Sequence, residues 1–230
     1  MVIIGLIVGS TIVGRSLITD ARIRTVMKEA ETYVSAFGIF VNTYGCVPGD
    51  CLTATTFFGA TDANAVAINN GDGDGLITTW AEIFAAWQHL MAANLIAGNY
   101  DGGASVANAS IRIGTNVIPS GYSPSTFIII KADNLWSNYT NSNQVAFASI
   151  GTAALTTYET FTALDASIID LKADDGTPYT GRALGYAYIQ GDGNCVATHY
   201  SNTPAHSLPY LPLTNTYCMM SFAAQGTMYQ

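Results

Sequence analysis

Apolar residues dominate the first 44 positions of the chain, and from Ile23 onward they recur every three or four residues. That spacing places a stripe of side chains along one side of an α-helix. The stripe consists of Ile23, Val26, Met27, Ala30, Tyr33, Val34, Phe37, Phe40, Val41 and Tyr44. Gly45 and Pro48 follow, and these residue types end helices. The pattern predicts a helix that ends near Tyr44 and packs one face on the rest of the protein.

Residues 1–14 precede this stripe and are apolar on every side. A helix without a polar face needs lipid or protein around it instead of water. Such a helix rises only about 21 Å from Met1 to Gly14, against a hydrocarbon core of roughly 30 Å, so this segment alone does not cross a bilayer. We therefore expect either a longer precursor or a start shortened by processing. The apolar residues are Val2, Ile3, Ile4, Gly5, Leu6, Ile7, Val8, Gly9, Ile12 and Val13.

Beyond Pro48 the pattern changes. Residues 49–76 are rich in Gly, Asn, Asp, Thr and Ala, which predicts a long loop with a short helix at most. A second amphipathic helix is predicted from Ile77 to Ile96, with Thr78 or Thr79 as its N-cap and Glu82 in its first turn. Strands and a short helix follow. The predicted strands are Ser110 to Val117, Thr126 to Ala132, Val145 to Ser149 and Ala183 to Gln190, and the predicted helix is Ala163 to Lys172.

The charge of the chain is low in amount and uneven in distribution. Charged residues make up 10% of the 230 residues, and the net charge is −8. Residues 1–31 carry four basic and three acidic residues, a net charge of +1, so the remainder carries −9. An acidic globular part repels phosphates, which argues against nucleic-acid binding.

Four cysteines, Cys46, Cys51, Cys195 and Cys218, lack the spacing of a zinc site. Disulfides are the better interpretation, and they imply an oxidising compartment. Three pairings are possible. The segment between Cys46 and Cys51 contains its own turn, Pro-Gly, so we favour Cys46 with Cys51 and Cys195 with Cys218.

The loop from Asn70 to Ile77 is the segment with the clearest chemical content. Asn70, Asp72 and Asp74 alternate with glycines, as in the first half of an EF-hand calcium loop. The second half of the motif fails, because its twelfth position is Ala81 and Glu82 comes one residue late. Calcium binding by Asn70, Asp72 and Asp74 is therefore one interpretation, and a glycine turn with solvated aspartates is the other.

Motifs that would start a catalytic hypothesis are missing from the sequence. It contains no nucleophile elbow, no zinc-protease helix motif, no phosphate-binding loop and no dinucleotide fingerprint. His89 reads as a hydrogen-bonded structural residue, and Asp174-Asp175-Gly176 as a turn. We therefore expect a protein that is not an enzyme.

Several short motifs, in this order, resemble a type IV pilin or prepilin-like protein of bacteria. The apolar run from Val2 to Gly9 and the helix after it lead to Tyr44-Gly-Cys-Val-Pro-Gly-Asp50. The later motifs are Phe57-Phe-Gly59, Gly71-Asp-Gly-Asp-Gly75, Trp87-Gln-His-Leu90, Gly98-Asn-Tyr100 and Asp174-Asp-Gly176. Such pilins also carry a Phe at the mature start and a Glu inside the apolar segment. This chain has neither residue before Gly5, so those two roles are not transferred.

The resemblance implies an α+β pilin fold, in which a long N-terminal helix packs against a C-terminal domain with an antiparallel β-sheet. Residues 1–45 would form the helix, which anchors the chain in the inner membrane and later forms the filament core, and residues 46–230 the globular head domain. The implied partners are further copies of the chain and a pilus or secretion assembly machinery. The implied location is an extracellular filament at the cell surface.

Glycines weaken the apolar helix, because each costs about 1 kcal/mol relative to Ala in a helix interior. Gly9 and Gly14 enclose three consecutive β-branched residues, which lower helix stability further. We therefore predict that the segment from Gly9 to Gly14 extends in an assembled filament. The spacing of Gly5 and Gly9 also suits close helix approach in membranes, although scattered glycines are common in such helices.

Two other functions remain open at this point. One is a pseudopilin of a type II secretion system, which would form a short periplasmic piston. The other is a membrane-tethered surface domain that binds calcium and never polymerises.

Overall fold

The computed structural model describes residues 2–103, 111–122, 125–131, 142–149, 160–178, 180–186, 195, 210 and 216–224. Within its helices and strands, the side chains of residues 2–13, 15, 16, 130, 131, 148, 149, 186, 216 and 217 lie outside that description. The fold is α+β, with a long N-terminal helix and an antiparallel sheet. The helices are α1 (Val2–Tyr44), α2 (Ala54–Phe58), α3 (Trp80–Ala92) and α4 (Ala163–Ala173). The strands are β1 (Ile118–Pro119), β2 (Ser125–Lys131), β3 (Asn143–Ser149), β4 (Phe161–Thr162), β5 (Ala183–Tyr186) and β6 (Thr216–Ala223).

The sheet is antiparallel at every described pairing, in the order β1-β2-β3-β6-β4, with β5 also paired to β6. Phe127 of β2 lies opposite Phe147 of β3, and their rings meet edge to face with centroids 4.8 Å apart. Phe147 in turn lies opposite Met220 of β6. Cross-strand pairs of large apolar side chains stabilise a sheet, so these three strands form its centre.

Helix α1 packs onto this sheet through the stripe that its sequence predicts. Ile23, Val26, Ala30, Phe37 and Phe40 are all at most 1% exposed, and the other members of the stripe are buried or partly buried against the same core. The periodicity of 3.6 residues per turn keeps these side chains on one face. The predicted end of the helix near Tyr44 is confirmed.

Tyr33 joins α1 to both other layers of the core. Its ring meets Trp87 of α3 at 5.4 Å between centroids and Phe127 of β2 at 5.1 Å, both edge to face. Edge-to-face geometry is favourable because the positive ring edge meets a negative ring face. This aromatic junction sets the position of α1 relative to the sheet and to α3.

Glu29 adds a polar connection between α1 and the β1–β2 turn. Its carboxylate accepts hydrogen bonds from Ser120 Oγ at 2.7 Å and from the Gly121 N–H at 2.8 Å. About two helical turns earlier on α1, the Arg22 guanidinium lies 5.7 Å from the centre of the Tyr122 ring. These contacts orient the turn against the helix.

Helix α3 is shorter than predicted. It starts at Trp80 with Thr79 as N-cap, and Thr79 and Glu82 form a reciprocal capping box. Ile77, predicted as helical, instead donates its N–H to Asn143 Oδ1 beside the sheet. The predicted extension to Ile96 is also wrong, because the helix ends at Ala92 and Asn94 adopts a left-handed conformation, φ 57°.

The strand predictions have mixed outcomes. Strands β2, β3 and β5 and helix α4 lie within or beside the predicted ranges. The strand predicted from Ser110 to Val117 is wrong for its described part, since residues 111–117 form a turn in which Asn116 Oδ1 accepts the Arg112 N–H. Strand β6 was not predicted, although it pairs with three other strands.

Both favoured disulfides are present in the structure. Cys46 is bonded to Cys51, and Cys195 to Cys218 of β6. The first closes the loop directly after α1. The second attaches residue 195 to the sheet, so covalent bonds hold the chain at both ends of the head domain.

Neighbouring positions on α1 provide a test of one-sided packing. Replacing Phe37, which is fully buried, by Ala should lower the free energy of unfolding by about 3–5 kcal/mol, because it opens a cavity. Replacing Ile39, which is 48% exposed, should cost less than about 1 kcal/mol. Urea unfolding followed by circular dichroism measures both. Equal losses would contradict the one-sided packing of α1.

Candidate functional site

The described side chains of α1 just before Ile23 are largely exposed. Between residues 17 and 22 five positions are exposed and Asp20 is partly exposed. Leu17 and Ile18 are 64% and 56% exposed, although they are adjacent and therefore point about 100° apart around the helix. Water thus surrounds most sides of the helix here, and the chain leaves large apolar side chains uncovered.

The residues predicted to form a filament core, Val2 to Val13, continue the same helix. Their backbone is helical through Gly9 and Gly14, and their side chains lie outside the described residues. Apart from its neighbours and the backbone of its own helix turn, a Cβ added to Gly14 would meet no atom of the described residues within 4 Å. The 21 residues before Ile23 span about 31 Å at 1.5 Å per residue. The helix is continuous in the single chain, and its extension at Gly9 to Gly14 in a filament stays a prediction.

None of the helices formed by the described residues has both the length and the apolar content to cross a bilayer.

A second candidate site surrounds Asp50, which lies between the two cysteines of the first disulfide and is only 2% exposed. Its Oδ1 accepts hydrogen bonds from the N–H groups of Gly73 at 2.8 Å and Asp74 at 3.2 Å. Its Oδ2 accepts from the Gly75 N–H at 2.8 Å. One carboxylate therefore organises the whole glycine-rich loop.

Two glycines permit this close packing. A Cβ on Gly71 would lie 2.2 Å from Asp50 Cα, and a Cβ on Gly49 would lie 2.3 Å from the carbonyl oxygen of Glu82. Gly49 also has φ +92°, where side chains are strained. The alternation of glycine and aspartate in the sequence thus reflects a backbone pressed against the disulfide loop.

Three carboxylates converge at this loop, and they are not the three that the sequence predicted. Oxygens of Asp50, Asp72 and Glu82 lie within 4.8 Å of one another. Asn70 faces elsewhere, since its Oδ1 accepts the Thr55 N–H at 3.0 Å. Asp74 Oδ1 accepts the Leu76 N–H. The structure thus offers Asp50, Asp72 and Glu82 as a second possible ligand group, and calcium binding by Asn70, Asp72 and Asp74 stays a prediction.

Sequence reasoning missed Asp50 because its partners lie more than 20 residues further along the chain. A local signal existed for Glu82, whose Oε2 accepts the N–H groups of Thr78 and Thr79 at 2.8 and 2.9 Å as part of the capping box. The same carboxylate also faces Asp50 and Asp72. Capping thus positions Glu82 for the cluster.

Burial raises the pKa of Asp50 to about 6. Hydrogen bonds from Gly75 and Gly73 act in the opposite direction, while the neighbouring Asp72 and Asp74 carboxyls raise the pKa further. Among the described residues the ion pairs are Arg112 with Asp101 and Lys172 with Asp20. Within that part of the chain no basic residue pairs with the cluster, so it favours either a proton or a cation. Calcium prefers oxygen ligands of this kind.

The predicted structural role of His89 is confirmed. It is fully buried, its Nδ1 accepts the Gly49 N–H at 2.8 Å, and its Nε2 donates to the Asn69 carbonyl at 2.7 Å. Burial lowers its pKa to about 4. The Asp174-Asp175-Gly176 segment is a turn as predicted, with the Gly176 N–H donated to Asp170.

Comparison of the chain with protein-family models, with curated proteins and with solved structures finds no match.

The pH dependence of stability tests the environment of Asp50. An ordinary Asp has a pKa of about 3.9, and in the folded chain that of Asp50 is about 6. Folding therefore favours the protonated form, a contribution fully present below about pH 4 and lost as the pH rises through about 6. We expect the stability of the wild type relative to Asp50→Asn to increase as the pH falls from about 7.5 to 4.5.

Urea unfolding of both proteins across this range measures the difference. The lowered pKa of His89 acts in the opposite direction, because it removes stability as the pH falls below about 6.5. This contribution of His89 is the same in the wild type and in Asp50→Asn, so it cancels in their difference. Parallel pH profiles for the two proteins would contradict a raised pKa at Asp50.

Calcium titration distinguishes the two ligand groups. If the ion binds Asp50, Asp72 and Glu82, millimolar calcium should raise the midpoint of thermal unfolding, and Asp72→Asn should abolish the rise. The matched variant Asp74→Asn removes a carboxylate of the same loop from outside the cluster, so it should keep the rise. Calorimetry that detects no heat at millimolar calcium would contradict calcium binding altogether.

Proposed function

We propose that this chain is the structural subunit of a type IV pilus-like filament and polymerises through the N-terminal half of α1. The observation that carries the proposal is the exposure of Leu17 and Ile18 on a helix whose 21 residues before Ile23, including an apolar segment, rise about 31 Å. An apolar helix of this kind is unfavourable in water. Lipid and the same segment of sister copies are the two environments that suit it.

The proposed sequence of environments is the inner membrane first and the filament core afterwards. If about ten apolar side chains per subunit are buried at roughly 2 kcal/mol each, the gross gain is about 20 kcal/mol before association costs. Much of this gain only replaces contacts with lipid, so the net free energy is far smaller. Assembly from the membrane then needs the machinery that the resemblance implies.

Three features support a pilin fold for the whole chain. The amphipathic half of α1 packs on an antiparallel sheet, the first half continues the helix without a break, and two disulfides close loops of the head domain. Disulfides suit a protein at the cell surface, because that compartment is oxidising. The proposal therefore places the head domain, residues 46–230, on the outside of an extracellular filament.

The two alternatives keep the same anchor and differ in assembly. A pseudopilin of a type II secretion system would form a short periplasmic filament. A membrane-tethered calcium-binding domain would not polymerise, and the convergence of Asp50, Asp72 and Glu82 is the observation in its favour.

Electron microscopy of material sheared from cells that produce the chain tests the proposal. We expect filaments that contain the wild-type chain. Ile7→Asp should abolish them, because a buried unpaired carboxylate in the filament core is strongly unfavourable. The control Ile7→Val keeps the apolar surface and should still form filaments.

Circular dichroism and thermal unfolding of each variant check that the head domain still folds. Filaments seen only on overproduction would favour the pseudopilin. A monomer in detergent under all conditions, with a calcium-dependent increase in stability, would favour the tethered domain and contradict the filament.

A further inference from the structure

A groove with basic edges runs along α1 on the side facing α4. Arg24 and Lys28 of α1 and Lys172 of α4 line a cavity of about 290 Å³, together with Met27 and Glu31. Arg24 and Lys28 are four residues apart and therefore share one face of the helix. Three basic side chains from two helices thus point into one space.

Met27 and Glu31 also line a smaller cavity, of about 50 Å³, that continues the groove toward the sheet. Its other walls are apolar, with Val34 from α1 and Phe222 from β6, and Arg182 lies at its edge. We call the combined feature the basic groove. Its edges are Arg24, Lys28, Lys172 and Arg182, and its floor is Met27, Val34 and Phe222.

The basic groove is unusual in a chain of net charge −8, because it holds four of the eight basic residues. Glu31 lines it as well, and Asp20 lies 3.6 Å from Lys172. The Asp174 carboxylate is directed at the backbone N–H groups of Arg182 and Ala183. The four basic residues of the groove and the three acidic residues Glu31, Asp20 and Asp174 leave a net charge of +1, which favours an acidic occupant.

The glycine-rich loop offers such an occupant on the same chain. Asp72 and Asp74 are exposed, and the side chain of Leu52, itself 60% exposed, lies over Gly73 between them. We call Leu52, Asp72 and Asp74 the acidic tip. An apolar side chain between two carboxylates is complementary to an apolar floor between basic edges.

The two surfaces do not meet within one chain. The helix rises about 24 Å from Lys28 to Tyr44, and the disulfide loop that carries Asp50 and the acidic tip follows only after Tyr44. A contact between them therefore joins two copies. Because it joins different surfaces, it is heterologous, and such contacts extend into open helical polymers unless the rotation closes a ring.

We propose that the acidic tip of one subunit docks in the basic groove of a neighbouring subunit. This inference rests on the proposed filament function and names the surfaces through which head domains meet. The contact places the disulfide-loop end of one subunit, which follows Tyr44, beside the middle of α1 of the next subunit. The apolar part of α1 supplies the shared core, and this charged contact selects the register between subunits.

Complementation between two charge-reversed variants tests the proposal. One variant is Arg24→Glu/Lys28→Glu, which reverses the groove, and the other is Asp72→Lys/Asp74→Lys, which reverses the tip. Each alone should raise the critical concentration for filament formation about tenfold or more, since like charges now face each other. Mixed in equal amounts, the two should form filaments again, because each tip then finds an oppositely charged groove.

The matched control is Asp101→Arg/Arg112→Glu, which reverses the ion pair between Asp101 and Arg112 at 2.7 Å. Both residues lie outside the basic groove and the acidic tip, so this variant should assemble like the wild type. Thermal unfolding of every variant confirms that the head domain folds. Filaments of equal stability from both single variants, or a mixture that fails while the wild type assembles, would overturn the docking and leave the filament function standing. Absence of filaments from the wild type would instead contradict the filament function.

A lipid headgroup is the competing occupant of the groove. If Arg24→Glu/Lys28→Glu loses binding to vesicles of phosphatidylglycerol yet polymerises like the wild type, the docking between copies is overturned in favour of the lipid.

Discussion

The packing of α1 onto the sheet through one stripe of side chains is the interaction on which the rest of the structure depends. Tyr33 stands at its centre, between Trp87 of α3 and Phe127 of β2. The buried members of the stripe begin at Ile23, and Leu17 and Ile18 of the same helix are exposed. Because an α-helix is stiff over this length, fixing its second half also fixes the direction in which the first half leaves the domain.

The division of α1 explains why the protein is proposed to assemble. Its second half buries the apolar stripe and exposes polar residues, so the folded head domain satisfies it. The first half begins with an apolar sequence, and Leu17 and Ile18 of its described side chains are exposed. This division of the helix suits the proposed subunit, whose final partner is another copy.

The loop at the far end of α1 links several features that look separate in the sequence. The Cys46–Cys51 disulfide holds Asp50, Asp50 accepts three N–H groups of the glycine-rich loop, and His89 accepts the N–H of Gly49. The loop is therefore rigid although it contains many glycines. This rigidity holds the Asp72 carboxylate close to those of Asp50 and Glu82, and the exposed residues Asp72 and Asp74 of the same loop belong to the proposed docking surface.

Local patterns in the sequence by itself determined the length and buried face of α1 and its end near Tyr44. They also determined the capping box of α3 and the pairing of Cys46 with Cys51. Each of these features depends on residues within a few positions of one another. Tertiary structure decided the rest. Asp50 lies close to Asp72 and Glu82, which are more than 20 residues further along the chain. Ile77 was predicted as helical but donates its N–H to Asn143. Strand β6, which the sequence pattern did not predict, pairs with three other strands. The basic groove likewise joins α1 to α4 and the sheet. Such contacts depend on how separate elements pack against one another, and the local sequence pattern of one element does not predict that packing.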